Sequence, residues 1–143
     1  MRRFQGRGLP RVNLRYVEVL WCKTPVYIER LSVQDLKGEL GFQIYCAEWL
    51  ASNSHDFWHH SAGENRGSGI YGLRAGMQAK RSGQAKGFPD WICPQKRLAI
   101  ELKLPKGAVS DDQWRWLAHF KQIGWYAEVV RSFERFKEIV EGI

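Results

Sequence analysis

The stretch GFPDWICPQKRLAIELKLPKG, residues 87–107, decides how this chain is read. Pro94-Gln95-Lys96 is a turn between two apolar runs, which predicts strands over about 90–94 and 97–104. Side chains alternate along a strand, so Leu98, Ile100, Leu102 and Leu104 share one face, the core face. Arg97, Ala99, Glu101 and Lys103 share the other. Asp90 opens the first strand directly after Gly87-Phe88-Pro89, where Pro89 stiffens the approach and brings no N–H to the ladder. Paired as a hairpin, the two strands bring Asp90 level with Glu101 and Lys103. A carboxylate beside an ammonium, with a second acid upstream, is either an ion pair on a solvated sheet face or a group that holds something.

Outward from this hairpin, the apolar pattern changes period. Ser110-Asp111-Asp112-Gln113 is a capping box that starts a helix with acids in its first turn and Gly124 after its last. Trp125–Val130 reads as a strand, and Ser132 caps a final helix to about Glu141. On the N-terminal side, Leu36, Leu40, Ile44, Ala47 and Leu50 form a helical stripe from near Ser32 to about Ser52. Gln43 falls within that stripe and Glu39 at its edge, where polar groups are costly unless satisfied. Residues 53–69 read as a loop, and a short helix is expected around Tyr71–Arg81. Residues 14–31 look like two short β segments around a Lys23-Thr24-Pro25 turn, and residues 1–13 are a basic arm. From residue 32 the order is helix, loop with a short helix, strand, strand, helix, strand, helix, with no internal repeat and no clear domain boundary.

A chain of 143 residues with 44% hydrophobic and 13% aromatic residues can bury a real core as one domain. No apolar run approaches the roughly 20 residues that span a bilayer, which argues against a membrane role. The start MRRFQGRGLP has no apolar stretch behind it, so no secretory signal is expected. Cys22, Cys46 and Cys93 are odd in number and far apart, which fits a reducing cytoplasm better than a disulfide framework or a zinc knuckle.

The net charge of +7 is unevenly spread. Nine basic residues lie between Arg66 and Lys106 (Arg66, Arg74, Lys80, Arg81, Lys86, Lys96, Arg97, Lys103, Lys106) against two acids, Asp90 and Glu101. A basic field around two isolated acids is what a polyanion-binding site with a metal at its centre looks like; generic solubility is the plainer alternative. Two carboxylates brought together bind a hard divalent cation such as Mg²⁺, which takes oxygen ligands and keeps waters for a phosphate. Lys103 would reach the scissile phosphate or the attacking water, either to stabilise developing charge or, with a lowered pKa, to help deprotonate that water. Such a site supports in-line hydrolysis of a phosphodiester.

With Glu39-x-x-x-Gln43, Gly87-Phe88-Pro89-Asp90, Glu101-Leu102-Lys103 and Ser110-x-x-Gln113 in order, the chain resembles the virus-type replication-repair nuclease (VRR-NUC) domain, a branch of the PD-(D/E)xK superfamily, over roughly residues 36–141. The resemblance implies an α/β fold: a restriction-endonuclease-like core with a small central mixed sheet flanked by helices, occupying residues 32–143 behind an N-terminal extension, residues 1–31, of unknown role. It implies metal binding by Asp90, Glu101, the Leu102 backbone carbonyl and Glu39, with Lys103 as the catalytic lysine. Gln113 would be a glutamine at the edge of the active site, a role that stands beside its capping function, and Gln43 a buried hydrogen-bonding group or a catalytic one. The cofactor implied is Mg²⁺ or Mn²⁺, and the substrate DNA, branched DNA included. Arg66, Arg74, Lys80, Arg81, Lys86 and Lys106 are the candidates to contact it. Small stand-alone members resemble Holliday-junction resolvases and act as homodimers, in replication, recombination or repair within bacterial or phage-infected cells. A flap or non-specific nuclease is the nearby alternative.

Two rivals remain. His55, His59, His60 and Glu64 crowd one loop and suggest a transition-metal site, but the ββα finger of HNH chemistry is missing around them. A non-catalytic nucleic-acid-binding module would use the same arm and aromatics such as Trp58, Tyr71 and Trp91, yet it gains nothing from Asp90 and Glu101 inside its positive field.

Overall fold

The computed structural model describes residues 15–28, 36–55, 58–60 and 85–142. A hairpin of β1 (Arg15–Val19) and β2 (Cys22–Ile28) precedes α1 (Gly38–Ser52). The main sheet has four strands in the order β3 (His59–His60), β4 (Trp91–Cys93), β5 (Leu98–Leu102) and β6 (Tyr126–Val130). The β3–β4 and β4–β5 pairs are antiparallel, whereas β5 and β6 run parallel across the helix α2 (Asp111–Gln122). Helix α3 (Phe133–Gly142) ends the described chain. This is the small mixed sheet flanked by helices that the sequence leads one to expect.

The sheet is covered on both faces. On one side Leu98, Ile100, Leu102 and Val130 pack with Phe42, Cys46 and Leu50 of α1, Phe136, Ile139 and Val140 of α3, and Trp21 from the hairpin. Trp21 stacks on Phe42 with ring centroids 5.0 Å apart, and its carbonyl accepts the Phe133 N–H at 2.7 Å, so the hairpin is tied into the core. Fully burying a side chain the size of Phe42 or Phe136 contributes about 1.5–3 kcal/mol. On the other side Ala99 and Ala127 meet Leu117 and Phe120 of α2. Every residue of β5 is therefore buried, and the face carrying Glu101 is roofed by a helix rather than open to water.

Local signals explain α2. Ser110 accepts from the Gln113 N–H and the Gln113 side chain accepts from the Ser110 N–H, closing the capping box. At the other end Gly124, at φ +85°, forms a Schellman motif: its N–H meets the Lys121 carbonyl, and the Trp125 N–H reaches that of Phe120.

Several expectations need correction. The β1–β2 turn is Leu20-Trp21, and Lys23-Thr24-Pro25 lies inside β2. Pairing across Val17 and Val19 shifts register, and the buried Trp21 anchors the turn there. Helix α1 starts at Gly38, with Lys37 as an N-cap that makes no side-chain bond; residues 31–35 lie outside the described residues. Its buried side is Gly41, Phe42, Cys46 and Leu50, while Leu40 is 47% exposed. Apolar side chains run nearly all round this helix, so periodicity does not select a face; contact with Trp21 and α3 does. His59 and His60 form a short edge strand instead of a loop. The expected helix at Tyr71–Arg81 and the basic arm lie outside the described residues.

Candidate active site

The site forms where the first two turns of α1, the end of β5 and the first turn of α2 meet around Asp90 and Glu101. Asp90, Glu101, Lys103 and Gln113 are all buried, at 3%, 1%, 7% and 5% exposure. Polar groups this deep are costly unless partnered, and each of these has a partner. One oxygen of Asp90 accepts from Gln43 Nε2 at 2.9 Å, and the other from the Leu102 N–H at 2.8 Å. The aspartate thus extends the β4–β5 ladder one rung past the Trp91–Ile100 pair. Gln113 Nε2 donates to Glu101 Oε1 while its own carbonyl oxygen takes the Ser110 N–H, so the capping role and the contact with the site acid coexist.

Lys103 Nζ lies 3.2 Å from Glu39 Oε1 and 3.5 Å from Glu101 Oε1. Burial pulls its pKa down, but the carboxylates of Glu39, Glu101 and Asp90 more than reverse this and hold it above the ordinary lysine value. This direction runs against the alternative of a lysine with lowered pKa acting as a base, and suits Lys103 as a protonated donor. Burial, with the Asp90 charge adding to it, pushes the neighbouring Cys46 thiol well above its usual value, so this cysteine is a core group rather than a nucleophile.

Glu39, Asp90 and Glu101 each offer an oxygen, and the three atoms lie within 4.8 Å of one another. The donor set is all carboxylate, which suits a hard divalent cation. Three carboxylates against one ammonium also leave the cluster with a formal charge of −2, which a divalent ion would offset. On both counts the residues fit such an ion. Among the described residues no other group of His, Cys, Asp and Glu comes together in this way; Glu64 of the histidine loop lies outside them.

The basic candidates fare unevenly. Lys86 is exposed and 3.3 Å from Asp112 at the start of α2, and Lys106 is exposed on the turn after β5. Lys96, counted in the basic field, instead donates to the Val140 carbonyl near the C-terminus of α3. Arg66, Arg74, Lys80 and Arg81 lie outside the described residues. Two features escaped the sequence reading. Gly87, at φ +76°, lies so close to α2 that a Cβ there would stand 2.6 Å from the Asp112 carbonyl carbon, which sets where the helix docks. Arg131 reaches back to carbonyls 24 to 27 residues earlier, and no local pattern announces such a contact.

The VRR-NUC domain family model matches residues 43–134, most of the chain. The chain belongs to the VRR-NUC family and is thus a nuclease of the PD-(D/E)xK type, with DNA as its substrate class. Neither a curated protein nor a solved structure matches it. The matched span contains Asp90, Glu101, Lys103 and Gln113 but begins after Glu39. It is the fold that brings Glu39 to the other two acids.

Proposed function

We propose that this protein is a divalent-metal-dependent DNA endonuclease, and that Glu39, Asp90, Glu101 and Lys103 are its working groups. The observation that carries the reading is the convergence of three carboxylates and one ammonium from separate parts of the chain, with Asp90, Glu101 and Lys103 buried and Glu39 partly exposed. Asp90, Glu101 and Glu39 would hold Mg²⁺ or Mn²⁺. The Leu102 carbonyl would join them: in a strand the N–H and C=O of one residue face the same neighbour, and the Leu102 N–H already points at Asp90. When bound, the ion supplies Lewis acidity toward the phosphodiester and lowers the pKa of water.

The chain's own groups do the rest. Gln43 and the Leu102 N–H orient the Asp90 carboxylate, and Gln113 orients that of Glu101. Lys103, kept protonated by its acids, donates to a phosphate oxygen as negative charge grows there. The exposed Lys86 and Lys106, with Arg66, Arg74, Lys80 and Arg81, would contact backbone phosphates. A preference for branched DNA and a homodimeric state rest on the likeness to small stand-alone members of the family.

The test is a side-by-side panel of four-way junctions, flaps, duplexes and single strands with Mg²⁺ or Mn²⁺, with the molar mass in solution measured in parallel. Cleavage strongest on the four-way junction, by a chain of twice the monomer mass, is expected. DNA binding without cutting under either metal would sink the nuclease reading.

A further inference from the structure

Arg131 follows β6 directly and stands beside the site without belonging to it. The Lys103 N–H donates to the Val130 carbonyl at 2.9 Å, so the last rung between β5 and β6 falls at the lysine itself. Immediately beyond, Leu104-Pro105-Lys106-Gly107 closes a β-turn, with the Gly107 N–H on the Leu104 carbonyl at 2.9 Å. Pro at the second position and Gly at the fourth suit such a turn. Arg131 Nη1 lies 2.8 Å from the carbonyl oxygens of both Leu104 and Gly107, and 3.4 Å from that of Pro105. Among the described residues this half-buried guanidinium makes no ion pair; its charge is spent on turn carbonyls.

The position of this turn gives the contact its consequence. At one end is Lys103, whose aliphatic stem passes 3.5 Å from where a Cβ on Gly107 would stand. At the other end, after a short connector, comes Ser110, the N-cap of the helix whose Gln113 holds Glu101. Both sides of the turn thus lead straight into the site.

We propose that Arg131 is a positioning residue: by clamping the Leu104–Gly107 turn it sets the place of the Lys103 ammonium. Its role in cleavage rests on the nuclease reading above. All three contacts come from Nη1, whose N–H groups are held in the guanidinium plane and directed at the carbonyls; a lysine ammonium on a freely rotating stem would lack that fixed direction.

The experiment compares wild type, Arg131→Met and Arg131→Lys in single-turnover cleavage of a synthetic four-way junction with Mn²⁺. The same proteins, free of metal, are followed by amide hydrogen exchange. Arg131→Met is expected to cut about tenfold more slowly or worse, with junction affinity within about threefold, since of the proposed phosphate contacts only Lys106 sits on the turn. Exchange over residues 103–110 should quicken while α3 keeps its protection. Arg131→Lys should fall between the two in both readouts, and serves alone if the methionine variant does not fold.

The deciding measurement is the same substitution in a Lys103→Ala background. If Arg131 acts through the lysine, the second change adds less than about twofold. A full, additive loss overturns the proposal, and so does unchanged exchange across the turn. If wild type cuts no DNA, the nuclease reading fails, and exchange across 103–110 decides the clamp: faster exchange upholds it, and unchanged exchange overturns it.

Discussion

The two helices that reach the site contribute alike but are built differently. Each gives one glutamine to one carboxylate: Gln43 of α1 to Asp90, and Gln113 of α2 to Glu101. Helix α2 carries its own instructions, with a capping box, acids in the first turn and a glycine-closed end. Helix α1 has no side-chain cap and no single apolar stripe, and it is held by burying Phe42, Cys46 and Leu50 against Trp21 and α3. The α1 half of the site should therefore depend on distant packing, and the α2 half on a few bonds within its own turn.

The largest effects are expected at the acids and the lysine. Asp90→Asn, in the half held by α1, and Glu101→Gln, in the half held by α2, should each lower single-turnover cleavage about a thousandfold. Lys103→Ala should do the same. Junction binding should change little in all three. If any of them lost binding in step with activity, the group would be structural rather than catalytic.

The sharpest way to break the comparison is far from the chemistry. Trp21→Ala removes a ring that is 1% exposed and stacked on Phe42, and should cost about 3–5 kcal/mol in chemical denaturation. Hydrogen exchange should then quicken across α1 while α2 keeps its protection; equal loosening of both helices would erase the distinction. Gly87→Ala acts on the other half. It forces a Cβ into left-handed backbone and against the Asp112 carbonyl carbon, for about 1–3 kcal/mol, and should lower activity by displacing Gln113. Ser110→Ala removes only the cap and should cost about 1 kcal/mol.

The smallest effect is a pH dependence. Lys103 has a folded pKa above its ordinary value, because Glu39 and Glu101 outweigh the opposing pull of burial. A raised folded pKa contributes stability that is complete below the unfolded value and is lost as pH rises through the folded one. The stability difference between wild type and Lys103→Met should therefore hold steady from neutral pH to about 10.5, then shift against wild type. A difference that stayed flat through the alkaline range would mean the carboxylates do not hold the proton.

The β4–β5 hairpin and α2 were legible because their information is local. Alternation put Glu101 and Lys103 on one face, the turn at Pro94–Lys96 set the pairing, and the capping box marked where α2 begins. The meaning of that face was less legible: alternation says which residues share a side, not what lies over it, and α2 turned an apparently open side into a buried one. Helix α1 was legible as a helix and misread in its start and its buried side, since a segment apolar nearly all round takes its orientation from its neighbours. The β1–β2 turn was misplaced for the same reason, because Trp21 sits in it to fill the core.

By itself the sequence determined the ladder register that sets Asp90 against the end of β5, the glutamine that caps α2, and the identity of the acids and the lysine. These follow from periodicity and hydrogen bonds within a few residues. Only the tertiary structure decided that Glu39 comes within 4.8 Å of Asp90 and Glu101, that carboxylates raise the pKa of Lys103 against the pull of burial, and that Arg131 closes on the turn beyond it. Those contacts cross 24 to 64 residues of chain, where packing and shared burial, not local propensity, choose the partner.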